Sequence, residues 1–128
     1  MTGPKPHVLV VDDEPGLRET IAIALRRAGF DVVAAPGTRQ AKSALSQGRF
    51  DVVVTDLVMP DGSGIDVLNA AREHDPTTQV VVITAYATTD QAVRAMRAGA
   101  YDFVQKPFSR EVLEEALASV LGEPTSPG

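Results

Sequence analysis

Apolar residues in this chain follow two alternating patterns. His7–Val11 (HVLVV), Val32–Ala35 (VVAA), Val52–Thr55 (VVVT) and Val80–Ile83 (VVVI) are short runs, rich in β-branched residues and continuously apolar. Such runs predict strands buried on both faces, because a half-exposed strand would alternate apolar and polar positions. Val104, preceded by Phe103, is a shorter fifth candidate. Helical spacing fills the intervals. Leu17, Ile21, Leu25 and Ala28 predict a first helix, stopped by Gly29. Ala41, Ala44 and Leu45 predict a second helix before Gly48, and Ile65, Leu68 and Ala71 a third that ends before Pro76. Val93 and Met96 predict a fourth, with Thr88 and Gln91 as its capping box and Gly99 as its stop. Leu113, Ala116, Leu117 and Val120 predict a fifth. The order is βαβαβαβαβα.

Strict alternation builds an α/β domain, a parallel sheet with helices on both faces and right-handed crossovers. Ligands of such sheets bind outside the carboxyl ends of the strands, where the winding reverses. Asp12, Asp13 and Glu14 follow the first strand, Asp56 the third, Thr84 the fourth, and Lys106-Pro107 the fifth. Each has an ordinary alternative. Asp12 or Asp13 could cap the helix starting near Pro15. Asp56 could be a loop acid, Thr84 a strand residue and Lys106 a solvated surface lysine. Together, at four strand ends of one sheet, they point to a shared cleft.

Composition narrows the chemistry. Residues 1–6 form a short polar arm, expected to be mobile, and residues 123–128 have linker composition; the span between them suits one domain. The 12 basic and 17 acidic residues leave a net charge of −5, which disfavours direct contact with nucleic acid or an anionic membrane. The absence of cysteine excludes disulfides, thiolate metal sites and cysteine nucleophiles. No apolar run approaches a membrane span, so a cytoplasmic domain is expected.

Several carboxylates crowded together raise one another's pKa. A hard divalent cation removes that penalty, and magnesium takes carboxylate and phosphate oxygens. A carboxylate beside it can attack a phosphoryl group and form an acyl phosphate, with lysine and hydroxyl donors neutralising the phosphoryl charge. The residues therefore suit a phosphoryl-accepting site.

The motifs Val10-Val11-Asp12-Asp13-Glu14, Thr55-Asp56-Leu57-Val58-Met59-Pro60-Asp61-Gly62, Ile83-Thr84-Ala85 and Lys106-Pro107-Phe108 resemble, in this order, the response-regulator receiver domain of two-component signalling. The resemblance covers residues 7–121. It implies a single (βα)5 flavodoxin-like domain, over residues 7–122, with five parallel strands in the order 2-1-3-4-5. It implies Asp56 as phosphoacceptor, with Thr84 and Lys106 holding phosphoryl oxygens. Asp13, Asp56 and the backbone carbonyl of Val58 would be magnesium ligands, and Asp12 would hold water in the metal's shell. The bond between Lys106 and Pro107 is expected in cis. Thr84 and Phe103 occupy the switch positions; many members carry tyrosine where Phe103 stands, so a hydroxyl is missing there, and a fixed core residue is the competing reading. Val58 and Tyr86 stand where the family sets acyl-phosphate lifetime.

Residues 84–87, 99–103 and 106–108 look most like receivers of sigma-54-dependent transcription activators. That implies a sensor histidine kinase as partner, a homodimer on phosphorylation, and a linker at 123–128 leading to an output domain. The chain would be a phosphoacceptor regulatory domain, not an enzyme on other molecules. A stand-alone phosphorelay carrier or an interaction module is the other reading. A flavodoxin-type electron carrier fits poorly, because Asp12-Asp13-Glu14-Pro15 repels phosphate unless a cation intervenes. A dehalogenase-type phosphatase needs Asp-x-Asp where this chain has adjacent acids, and no phosphate-binding P-loop is present.

Overall fold

A computed structural model describes residues 5–85 and 89–121. The elements are β1 (His7–Val11), α1 (Pro15–Arg27), β2 (Asp31–Ala35), α2 (Thr38–Gln47), β3 (Val52–Asp56), β4 (Val58–Met59), β5 (Gly62–Ser63), α3 (Gly64–His74), β6 (Gln79–Thr84), α4 (Thr89–Arg97), β7 (Asp102–Gln105) and α5 (Arg110–Val120). Five strands form one parallel sheet in the order β2-β1-β3-β6-β7. Counting only those five, this is the expected 2-1-3-4-5. The small antiparallel hairpin β4–β5 was not anticipated, because two-residue strands carry no periodicity. Residues 1–4, Tyr86, the proposed cap Thr88 and the 123–128 linker lie outside the described residues.

Consecutive strand residues point to opposite faces, and the apolar runs therefore serve two cores. Leu9, Val11, Val53, Val80 and Val82 pack with Leu45, Val67, Leu68 and Ala95. Val8, Val10, Val52, Val54, Val81 and Ile83 pack with Ile21, Leu25, Leu113 and Leu117. Full burial of each such side chain contributes roughly 1.5–3 kcal/mol, so the sheet's centre is its most stable part.

Two expectations need correction. β2 is not covered on both faces: Val33 is 44% exposed. It lies on the sheet's edge, with a strand on one side only, and Ala44 and Gln47 of α2 flank it without covering it. In α4 the apolar residues that marked the helix, Val93 and Met96, are exposed, and Ala95 is the buried contact. The arm before β1 is tied at its end, where Asp31 donates its N–H to the carbonyl of Pro6.

At the amino ends of the strands, Arg49 fastens two loops. Its Nη1 donates to Asp51 Oδ1 at 3.0 Å and its Nε to Asp75 Oδ2 at 2.8 Å. Asp51 also accepts the N–H of His7, and Asp75 that of Thr77. The starts of β1, β3 and β6 are thus laced together, away from the carboxyl ends where the candidate residues lie.

Candidate functional site

β1 and β3 are central neighbours, so Asp12 and Asp56 emerge side by side. Both are buried, while Asp13 points out and is exposed. β7 is separated from β3 by β6, and Lys106 spans that distance with its long side chain. Its Nζ donates to Asp12 Oδ2 at 2.9 Å and to Asp56 Oδ2 at 3.0 Å. Lys106 is therefore no solvated surface lysine, for its side chain is only 13% exposed. The Lys106–Pro107 peptide bond is cis, as expected. Thr84, at the end of β6, is fully buried, and its carbonyl accepts the Lys106 N–H at 2.9 Å.

Neither aspartate after β1 is the N-cap of α1. That position is Glu14, without a side-chain cap. Asp12 Oδ1 accepts the Glu14 N–H instead, and Arg18 reaches the Asp12 carbonyl at 2.9 Å. Asp56 Oδ1 accepts the N–H of Val58 at 3.3 Å. Each buried carboxylate thus has one oxygen on a backbone N–H and the other on the lysine.

The two central groups respond to this setting differently. Burial pushes the Asp56 carboxyl above its usual range, against the hydrogen bond and charge of Lys106 and the Val58 N–H, and the charge of Asp12 adds to the rise. Burial lowers Lys106, but its hydrogen bonds to Asp12 and Asp56 outweigh that and raise it. One ammonium serves two buried carboxylates, so negative charge is in excess.

That excess fits a cation. Carboxylate oxygens of Asp12, Asp13 and Asp56 all lie within 4.8 Å of one another. They are hard oxygen donors at the floor of an open cleft of about 600 Å3, which Val58, Met59, Pro60 and Ala85 also line. Oxygen donors of this kind suit magnesium, which keeps part of its water shell. Phe103, on β7, sits in register with Val82, half-buried against the core packed under α2 and α3.

The profile described as the response regulator receiver domain matches residues 8–118. The chain belongs to that family. This receiver is 41% identical over 117 residues to the response regulator protein PilR of Pseudomonas aeruginosa, covering 91% of this chain and 26% of PilR. It is 36% identical over 124 residues to the DNA-binding transcriptional regulator NtrC of Rhizobium meliloti, covering 97% of this chain and 25% of NtrC. The chain thus spans about a quarter of the length of these curated relatives. It resembles the receivers of sigma-54-dependent activators, the group to which both belong. Among solved structures, the beryllofluoride-activated NtrC4 receiver domain dimer matches with a TM-score of 0.79 at 35% identity, over 91% of this chain and 93% of that one.

Sequence reasoning missed how this receiver shapes the loop after β3. Gly64 opens α3, and a Cβ there would meet the Asp56 carbonyl at 2.3 Å. Glycine there allows the close approach of α3 to Asp56, and Gly62, with φ +153°, takes a backbone conformation that favours glycine. Ser63 caps α3 by accepting the Ile65 N–H, and Asp66 accepts the Ser63 N–H in return. The signal was present as Ser63 followed by Asp66, but it is common in sequences. No helix among the described residues is long and apolar enough to cross a membrane.

Proposed function

We propose that this receiver is a phosphorylation-dependent signalling switch in which Asp56 accepts a phosphoryl group from a phosphohistidine of a sensor histidine kinase. The observation that carries this reading is the pairing of Lys106 with both Asp12 and Asp56, which supplies a cation at a buried carboxylate in an open cleft. An oxygen of Asp56 attacks phosphorus in line. The P–O bond forms as the P–N bond breaks, and the departing imidazole keeps the electron pair and takes up a proton. Lys106 stabilises charge on the phosphoryl oxygens, and the Thr84 hydroxyl donates to another. Asp13, Asp56 and the Val58 carbonyl would hold magnesium, with Asp12 holding water of its shell, and the ion would supply charge neutralisation for the carboxylates and the phosphoryl group.

Phosphorylation then favours a minor conformation through contacts made only in that state. Thr84 moves toward the phosphoryl group and Phe103 fills the space behind it. The phosphorylated form dimerises and controls an output domain after the linker at 123–128, acting on transcription in the cytoplasm. Support for this output comes from the chain's likeness to a quarter of a DNA-binding transcriptional regulator and to an activated receiver dimer.

Intact mass after incubation with magnesium and acetyl phosphate tests the first step. Wild type should gain one phosphoryl group, and Asp56→Asn none. A wild type that gains nothing, or an Asp56→Asn that gains the same, would overturn the assignment.

A further inference from the structure

The hairpin β4–β5 carries Val58 along the edge of the cleft, and its tip is fastened to a different helix. Asp61 Oδ1 accepts the N–H of Thr38 at 3.0 Å, and Oδ2 that of Arg39 at 3.1 Å. Thr38 Oγ1 donates back to the Asp61 carbonyl at 2.9 Å. The residue that caps α2 therefore comes from more than twenty positions further along the chain. The position preceding α2 is Gly37, which has no side chain to compete. A Cβ on Gly37 would lie 2.8 Å from both Asp61 carboxylate oxygens, so glycine is what lets the carboxylate seat there. These bonds, Thr38 first and then Arg39, hold the Asp61 carboxyl below its usual range.

The base of the hairpin is fixed too. Leu57 donates its N–H to the Ile83 carbonyl at 3.0 Å, and Gly64 donates to Leu57 at 2.9 Å. Between these two anchors, Val58 pairs with Ser63 and Met59 with Gly62. With its tip released, the hairpin would keep its base and the packing of Met59 in the core, while Val58, exposed beside it, would lose the hold at the tip.

We infer that Asp61 is a positioning residue, a strap from the hairpin tip to α2 that holds the backbone of Val58 in place at the cleft it lines with Asp56 and Asp13. This rests on the receiver reading of the site, in which the Val58 carbonyl is a magnesium ligand. Groups that orient metal ligands typically affect metal affinity by roughly 10–100-fold.

The test is magnesium titration by calorimetry on wild type, Asp61→Ala, Gly37→Ala and Asp75→Ala. Gly37→Ala attacks the strap from the helix side without altering the hairpin's sequence. Asp75→Ala removes a comparably bonded carboxylate at the far edge of the sheet. Asp61→Ala and Gly37→Ala should each weaken magnesium on the order of tenfold, and Asp75→Ala should bind like wild type. In metal-free protein the first two should also exchange the Val58 and Met59 amide protons faster. If all four bind magnesium equally, or Asp75→Ala weakens it as much, the strap is refuted and the site reading stands. If wild type binds no magnesium, the site reading falls and the strap with it.

Discussion

Lys106 Nζ lies 3.0 Å from Asp56 Oδ2 across 50 positions of sequence, while also bonding Asp12 at 2.9 Å. Removing the lysine strands two buried carboxylates together. Breaking a buried pair on one side costs about 3 kcal/mol or more. Lys106→Met should therefore lower the urea midpoint of the metal-free protein strongly, and adding Asp12→Asn should restore part of it. Additive losses in the double variant would mean that the pairing carries little energy.

Asp56→Asn should raise the melting temperature in the presence of chelator. The Asp56 carboxyl is raised in the fold, chiefly by burial, so its proton is held more tightly there than in the unfolded chain. Its penalty is absent below the unfolded value, near 4 for an aspartate, and fully present above the folded value. Each 1 kcal/mol of relief would appear as a rise of about 4 °C for a domain of this size. The gap between Asp56→Asn and wild type should close as pH falls toward about 4. A gap independent of pH would assign the effect to packing. Asp13→Asn should stabilise less, because Asp13 is exposed.

Thr84→Ala should leave phosphorylation of Asp56 largely intact and remove the dimerisation that follows it. Mass spectrometry reads the first and sedimentation velocity the second. A Thr84→Ala variant that dimerises like wild type on phosphorylation would refute the coupling.

Gly64→Ala should be among the most damaging small substitutions in the chain. Its Cβ would meet backbone, the Asp56 carbonyl at 2.3 Å, and no side chain can swing away to admit it. Overpacking of this kind costs roughly 1–3 kcal/mol, and more where backbone must move. Thermal melting beside Gly48→Ala, where the added carbon meets nothing within 4 Å, gives the comparison.

The strand order and the convergence of Asp12, Asp56 and Lys106 were legible because strand ends carry chemistry in a parallel sheet, and because four motifs fell in one order. The loop after β3 was not legible. Val58, Met59, Gly62 and Ser63 have no repeating pattern, and the partner of Asp61 is a helix start whose nearness depends on the finished fold. Val93 and Met96 misled for a related reason: helical spacing finds an apolar stripe but not which way it faces, and here it faces outward.

Both ends of the sheet hold one cation between two carboxylates, and water makes them opposites. Arg49, 62% exposed, sits where solvent screens the leftover charge, so the trio is a clasp with little force in it. Lys106, 13% exposed, faces an Asp12 with no exposure and an Asp56 with 9%, where solvent screens the imbalance far less. The same stoichiometry is inert at one pole of the molecule and sensitised at the other. A change of one or two charges therefore registers at the carboxyl pole and passes unnoticed at the amino pole.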